Sequence, residues 1–174
     1  MPNALLVYPK NPVTFWSFDE ALKIAGKKCS FQPAGLLTVA GMLPDKYDAR
    51  VKDENVEPLR DADLEWADVV LTSSMIIHWD SLEKVIQRAN EHGKPVLSGG
   101  PLATQYFNDI KGDATFFLGE AEAGFVDTLD EIVRQGFTPG KRVVDKRKKF
   151  GALNNTPLQR FDLIKDTLQE YASM

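Results

Sequence analysis

The chain has 174 residues, a single cysteine and a formal net charge of −4 at pH 7. This length suits one globular domain with a well-buried core, and the acidic balance argues against nucleic acid or an anionic membrane as the main partner. The single thiol excludes an internal disulfide and a cysteine-built zinc or iron–sulfur site within this chain.

The amino terminus has no signal-peptide pattern. Met1-Pro2-Asn3 is not followed by a basic segment and an apolar core. No apolar run approaches the roughly 20 residues that a membrane-spanning helix requires. We therefore expect a cytoplasmic protein without a membrane-spanning segment.

The first part of the chain predicts two strands on either side of a long connection and a helix. Residues 3–8 form an apolar strand that ends at Pro9, and residues 33–43 have the periodicity of a helix. Residues 9–32 are long for a strand-to-helix connection, and such loops are usually functional or partly helical. The more polar strand at 47–53 is expected at or near a sheet edge.

Three further strands follow, each preceded by a helical or turn segment. A short helix at 59–66 leads to a strand at 68–72, and an amphipathic helix at 80–92 ends before Gly93. The remaining elements, in order, are a strand at 95–97, a short helix at 103–107, a strand at 113–117 and a helix at 122–135. This alternation is typical of parallel sheets that are covered on both faces.

We therefore predict an α/β fold with a doubly wound, parallel five-stranded sheet, flavodoxin-like or Rossmann-like, in the order 2-1-3-4-5. Residues 1–140 are assigned to this domain. Residues 141–174 are rich in charge and interrupted by Gly, Asn and Pro, with little periodicity. We interpret them as a linker or extension that leads to a further domain, so that the sequence is a fragment.

The candidate site lies where the third, fourth and fifth strands end. The residues there are Ser73, Ser74 and Met75, then Gly99, Gly100 and Pro101, then Gly119 and Glu120. Doubly wound sheets bind ligands at the carboxyl ends of their strands. Since glycine has no Cβ, it allows a ligand to approach the main chain closely. The pattern indicates a cofactor-binding domain without a catalytic centre of its own.

Common cofactor and catalytic motifs are absent. The residues after the first strand, 9–12, match neither a dinucleotide-binding G-x-G-x-x-G, nor a P-loop, nor the phosphate loop of an FMN-binding flavodoxin. His92, at a predicted helix end, suits a structural role beside the helix dipole. For His78, just beyond Ser74, a ligand or general-base role remains open beside a structural one.

Two other groups of residues allow two interpretations each. Glu120 and Glu122 form either a carboxylate pair or, more simply, a pocket rim and the start of a helix. Phe15, Trp16 and Phe18, in the long first loop, either pack in the core or cover a ligand or a partner domain.

Five motifs occur in an order that is typical of one family. They are L-x-V-x-P at the first strand, PAGLLTVAGMLP in the first helix, S-x-M after the third strand, GGP after the fourth and LGEAE after the fifth. With them, the chain resembles the cobalamin (B12)-binding domain that precedes the radical SAM domain in cobalamin-dependent radical SAM proteins. The resemblance covers essentially the whole chain and is closest to the subgroup with hopanoid C-2 methylases.

The resemblance implies a module that binds cobalamin and presents cobalt to a radical SAM domain of the full-length chain, in a methyltransferase. S-adenosylmethionine and a 4Fe-4S cluster would belong to that absent domain only. The cofactor-binding residues carried over by position are Ser73, Ser74, Met75, Gly99, Gly100, Pro101, Gly119 and Glu120. No catalytic residue and no metal ligand is implied within this chain.

One departure from the family pattern keeps an alternative open. The classical B12 module has D-x-H-x-x-G after the first strand, with a His that coordinates cobalt, and residues 8–13 here contain no His. Bound cobalt would therefore lack a His ligand from this loop. The alternative is a cofactor-free flavodoxin-like domain that serves the catalytic half as a recognition or scaffold module. An independent flavodoxin-like enzyme is disfavoured, because no nucleophile or acid–base constellation is present.

Overall fold

The computed structural model describes residues 1–14, 17–149 and 156–173. In these ranges six parallel strands form one sheet in the order β2-β1-β3-β4-β5-β6. The strands are β1 Asn3–Tyr8, β2 Asp48–Asp53, β3 Val69–Ser73, β4 Val96–Gly99, β5 Thr115–Leu118 and β6 Arg142–Asp145. The predicted α/β class and the order of the first five strands are confirmed.

Helices connect successive strands. Within the described ranges they are α1 Asp19–Ile24, α2 Ala34–Gly41, α3 Asp61–Trp66, α4 Trp79–Glu91, α5 Gly100–Tyr106 and α6 Phe125–Gln135. Single 3₁₀ turns at Ile76–His78 and Ala121–Ala123 precede α4 and α6, and Phe161–Glu170 also has 3₁₀ geometry. Helix α1 lies inside the long connection predicted for 9–32.

The apolar strands are buried on both faces. On one face, Val7, Val70 and Phe116 pack against α3, α4 and α5. On the other face, Leu71 and Phe117 pack against α2 and α6. Strands that are covered on both sides appear in the sequence as continuous apolar runs rather than alternating ones, which is why β1, β3 and β5 were recognisable.

The sixth strand corrects the five-stranded prediction. Residues 142–145 lie in the segment predicted to be a linker, yet they pair with β5 in register, with Arg142 beside Thr115. Val144 packs against the core, whereas Val143 is 41% exposed. Two valines between charged residues are a weak strand signal, because strand formation depends more on pairing and packing than on intrinsic preference.

Residues 156–173, the C-terminal segment, pack back on the domain. The Arg160 N–H donates to the Leu37 carbonyl at 3.2 Å, and Tyr171 forms a parallel bridge with Cys29. Ile164 and Tyr171 are buried in a small third cluster that includes Leu37. The segment thus lies against α2 and the edge strand β2. That it leads to a further domain stays a prediction.

Among the residues that the structure describes, no helix has both the length and the apolar character that crossing a bilayer requires.

Candidate functional site

A cavity of about 260 Å³ opens at the carboxyl edge of β3, β4 and β5. Leu71, Leu97 and Phe117 line it on the sheet side, and Thr38 of α2 and Phe125 of α6 line it on the helix side. Its position, outside the strand ends of a doubly wound sheet, is where such folds bind ligands.

Five of the eight predicted cofactor-binding residues lie at this cavity. They are Ser73, Gly99, Gly100, Gly119 and Glu120. The loops that follow three neighbouring parallel strands therefore meet at one place, as the sequence argument requires. Their role in binding a cofactor stays a prediction.

The other three predicted residues lie outside the cavity lining. Ser74 is only 1% exposed, and its hydroxyl has no hydrogen-bond partner among the described residues. Met75 is about half exposed. Pro101 is exposed and occupies the first turn of α5. Ser74 is therefore buried beside the cavity, while Met75 is accessible at the rim.

The three glycines of the site have different surroundings. A Cβ on Gly100, where φ is +89°, would lie 2.8 Å from the Ser74 amide nitrogen. A Cβ on Gly119, where φ is +105°, would lie 3.0 Å from the Arg147 amide nitrogen. Both positions are thus required by the packing of the chain against itself.

Gly99 differs, because its backbone is extended and a Cβ there would contact only the Phe117 carbonyl oxygen, at 3.7 Å. It follows Leu97 by two residues, so its missing side chain belongs to the cavity face of β4. Gly99 is the strand-end glycine whose absent side chain leaves room for a ligand.

Hydrogen bonds join the loops after β3 and β4. The Ser74 N–H donates to the Gly99 carbonyl at 3.3 Å, and the Leu102 N–H donates to the Ser74 carbonyl at 3.0 Å. Just below, the buried Thr72 hydroxyl donates to the Ser98 hydroxyl oxygen at 2.9 Å. These bonds hold the two strand ends in a fixed relation beneath the cavity rim.

His78 has a structural role and a neutral ring. Of the two roles considered for it, a ligand or general base and a structural residue, the geometry favours the second. His78 is fully buried, and its Nδ1 accepts the Met75 N–H at 3.2 Å. Its Nε2 must therefore carry the proton, which it donates to the Asn11 Oδ1 at 2.6 Å. Burial lowers the pKa of His78 to about 4. Both nitrogens are engaged, so neither is available to a metal or a substrate.

The two glutamates at the rim have different surroundings. Glu120 is exposed, whereas Glu122 accepts a hydrogen bond from the Thr156 hydroxyl at 3.1 Å. Glu122 also does not start a helix: Gly124, with φ +121°, separates its 3₁₀ turn from α6, which begins at Phe125. The prediction that a continuous helix spans 122–135 was wrong by these three residues.

Part of the long first loop is placed. Phe18 is exposed and adopts a left-handed conformation, with φ 55°, just before α1. Phe15 and Trp16, for which core packing and ligand covering were both considered, lie outside the described residues.

Sequence reasoning missed the helical wall of the cavity. Gly35, Thr38, Val39 and Met42 line it, and all lie in or just after α2. Their spacing of i, i+3, i+4 and i+7 is that of a single helix stripe. This stripe is visible in PAGLLTVAGMLP. The same helix also has a buried stripe with Leu36, Leu37 and Ala40, and the sequence prediction interpreted the helix only as part of the core.

The chemistry of the site suits an organic ligand more than a bare metal ion. In the described part of the chain, no three His, Cys, Asp or Glu side chains come together to hold a metal. The walls are mainly apolar, and their polar groups are the hydroxyls of Thr38, Thr72 and Ser73 and the carboxylates of Glu120 and Glu122. Cavities of this kind bind organic molecules by shape and a few hydrogen bonds.

The chain is similar to two curated methyltransferases. It is 36% identical over 172 residues to an uncharacterized methyltransferase of Synechocystis sp., covering 98% of this chain and 31% of that protein. It is 34% identical over 98 residues to the hopanoid C-2 methylase of Rhodopseudomonas palustris, covering 56% of this chain and 19% of that enzyme. The chain thus spans less than a third of either relative, and the family resemblance seen in the sequence is confirmed.

No family model matches the chain, and no solved structure matches it.

Proposed function

We propose, from the chain's membership in the family that includes hopanoid C-2 methylase, that it is the cobalamin-binding module of a radical SAM methyltransferase. In the complete protein it would present cobalt to the catalytic domain. The observation that carries the proposal is the cavity at the ends of β3, β4 and β5, where Gly99 leaves open space. When bound, the cofactor would supply the methyl-transfer chemistry.

The size of the cavity fits part of this ligand. About 260 Å³ is slightly below the range of about 300–1,000 Å³ for typical small-molecule pockets. The nucleotide arm of cobalamin would enter it, with Gly99 and Gly35 offering bare surface and the Ser73 hydroxyl offering hydrogen bonds. The larger corrin ring would lie across the rim.

The rim itself supports this arrangement. The side chains of Met75, Ile76 and Ile77, in the loop after β3, are each about half exposed. Contiguous apolar side chains of this kind on a protein surface usually mark a contact with a ligand or another protein. At this edge they would cover one face of the corrin ring or contact the catalytic domain.

The first loop would offer cobalt no histidine ligand. Residues 9–13 contain no His, and the nearby His78 uses both ring nitrogens within the protein. Asn11, a polar side chain of this loop, is itself bonded to His78. The first loop and His78 would therefore contribute no histidine ligand to cobalt, and the cavity residues would bind the cofactor by shape and by contacts to its periphery.

A second candidate is a cofactor-free recognition or scaffold module for the catalytic half. Two observations favour it. The D-x-H-x-x-G motif is missing, and the space beside Gly100 and Gly119 is occupied by the chain's own backbone. Under this hypothesis, the cavity would be a by-product of the topology.

Titration with hydroxocobalamin distinguishes the two candidates. We expect a saturable shift of the corrin absorption with the unmodified chain. The variant Gly99→Leu fits the backbone but fills the cavity, so we expect its affinity to fall at least tenfold. Ala62→Leu, on the exposed side of α3, adds the same side chain far from the cavity and should bind like the unmodified chain.

Two results would count against the proposal. If no spectral change occurs at high micromolar hydroxocobalamin, the cofactor-free module is the better description. If Gly99→Leu binds as well as the unmodified chain, the ligand is held elsewhere.

A further inference from the structure

A continuous series of hydrogen bonds connects the C-terminal segment to the candidate site. The Tyr171 hydroxyl donates to the Asp53 Oδ2 at 2.9 Å, and the Asn55 Nδ2 donates to the Asp53 Oδ1 at 2.7 Å. The Asn11 N–H donates to the Asn55 Oδ1 at 2.7 Å. From Asn11 the series continues through His78 to the Met75 N–H, as described above. We call these residues the relay.

Among the described residues, the side chains and N–H group that donate to the Asp53 carboxylate at the centre of the relay belong to Asn55 and Tyr171. Asp53 is buried, and both of its oxygens are bonded to polar neutral groups rather than to a cation. Burial is the main cause of the raised pKa of Asp53, and the bonds from Asn55 and Tyr171 oppose that rise. A buried acid held by so few donors is sensitive to the loss of any one of them.

The far end of the relay is the loop that follows β3. Met75 comes directly after Ser73 and Ser74, and its N–H is fixed by His78. Tyr8 packs edge-on against the same imidazole, with ring centroids 4.9 Å apart. The conformation of this loop therefore depends on the position of His78, which in turn depends on Asn11.

The C-terminal segment also touches the cavity wall directly. The Thr156 hydroxyl donates to Glu122, and the Gln159 amide donates to the Thr38 hydroxyl at 3.3 Å. Glu122 and Thr38 both line the cavity. The segment thus contacts the site at its start and the relay at Tyr171, near its end.

We propose that residues 156–173 position the ligand site, with Tyr171 acting through the relay to hold the loop after β3. Tyr171 is a positioning residue, since it does not line the cavity. The proposal rests on the proposed function only where it concerns cobalamin affinity. The effect on the loop is a property of the protein alone.

The test compares two variants that each remove one tyrosine–aspartate hydrogen bond. Tyr171→Phe breaks the first bond of the relay. The matched control is Tyr47→Phe, because Tyr47 is also largely buried and donates to Asp130 at 2.6 Å, away from the relay. Amide hydrogen exchange at Met75 and the ¹⁵N shifts of the His78 ring are recorded without ligand, and hydroxocobalamin affinity is measured separately.

We expect Tyr171→Phe to accelerate exchange at Met75 about fivefold, the factor for losing one typical net hydrogen bond, and to shift the His78 ring signals. Tyr47→Phe should leave both signals unchanged. Equal effects of the two variants on Met75, or no effect of Tyr171→Phe, would overturn the proposal. If the unmodified chain fails to bind hydroxocobalamin, the proposed function fails while the exchange comparison still decides the relay.

A second variant covers the case in which Tyr171→Phe does not fold. Asn11→Ala breaks the relay in its middle and leaves the packing of Tyr171 untouched. It should accelerate Met75 exchange and change the His78 ring signals in the same way. If the tautomer and the ¹⁵N chemical shifts of the His78 ring are unchanged in this variant, the relay is contradicted.

Discussion

Gly99 and Gly100 are neighbours, but their missing side chains have different consequences. The backbone of Ser74 occupies the space beside Gly100, which has a positive φ, while the space beside Gly99 opens into the cavity. A glycine pair in a sequence therefore does not indicate which member serves the fold and which leaves room for a ligand.

We predict that Gly100→Ala destabilises the protein by about 2–4 kcal/mol, because an added Cβ meets the Ser74 backbone and the residue must keep a left-handed conformation. Gly99→Ala is the matched control and should change the free energy of unfolding by less than about 1 kcal/mol. Urea unfolding of both variants measures this. Equal losses of stability would show that the close approach at Gly100 is not the cause.

His78 makes stability depend on pH. Its pKa is lowered from 6.5 to about 4 in the folded protein, so the unfolded chain takes up a proton first as the pH falls. The contribution of the neutral ring to the free energy of unfolding is fully present above about pH 6.5. It decreases as the pH falls from about 6.5 to about 4, by up to about 3 kcal/mol in total.

The test is urea unfolding of the unmodified chain and His78→Gln between pH 7 and pH 4. The stability advantage of the unmodified chain should shrink by roughly 1.4 kcal/mol by pH 5.5. Since both proteins contain Asp53, its opposite pH dependence cancels in the difference. A difference that stays constant over this range would mean that the His78 pKa is not lowered.

At the scale of elements, β6 shows how a neighbour determines secondary structure. Residues 142–145 have little strand character alone, but they complete the exposed edge of β5 in register. Helix α5 is a similar case: it begins at Gly100, before the helix start predicted at residue 103, because proline is tolerated in the first turn of a helix. Both differences from the sequence prediction occur where local preference is weak.

We predict that Val144→Asp destabilises the protein by about 1–3 kcal/mol, because Val144 packs against the core beside β5. The adjacent side chain of Val143 faces outward, so Val143→Asp should change the free energy of unfolding by no more than about 0.5 kcal/mol. Thermal or urea unfolding measures both. If neither variant changes the stability, residues 142–145 behave as the linker without regular structure that the sequence predicts.

At the scale of the whole molecule, the parallel topology collects the candidate site at one edge. Three loops, at residues 73, 99 and 119, meet there because their strands are neighbours in the sheet. The C-terminal segment then closes around α2 and β2 and contacts the cavity wall. At the same edge, the apolar side chains of residues 75–77 remain about half exposed.

The sequence by itself determined the α/β class, the order of the first five strands and the strand ends at which the cavity lies. It could do so because buried parallel strands are continuous apolar runs and the topology brings their carboxyl ends together. Only the tertiary structure decided that Gly100 and Gly119 accommodate the chain itself, that His78 is neutral, and that residues 142–145 and 156–173 belong to the fold. These features depend on contacts between residues far apart in the chain, as between Tyr171 and Asp53, which local sequence patterns do not encode.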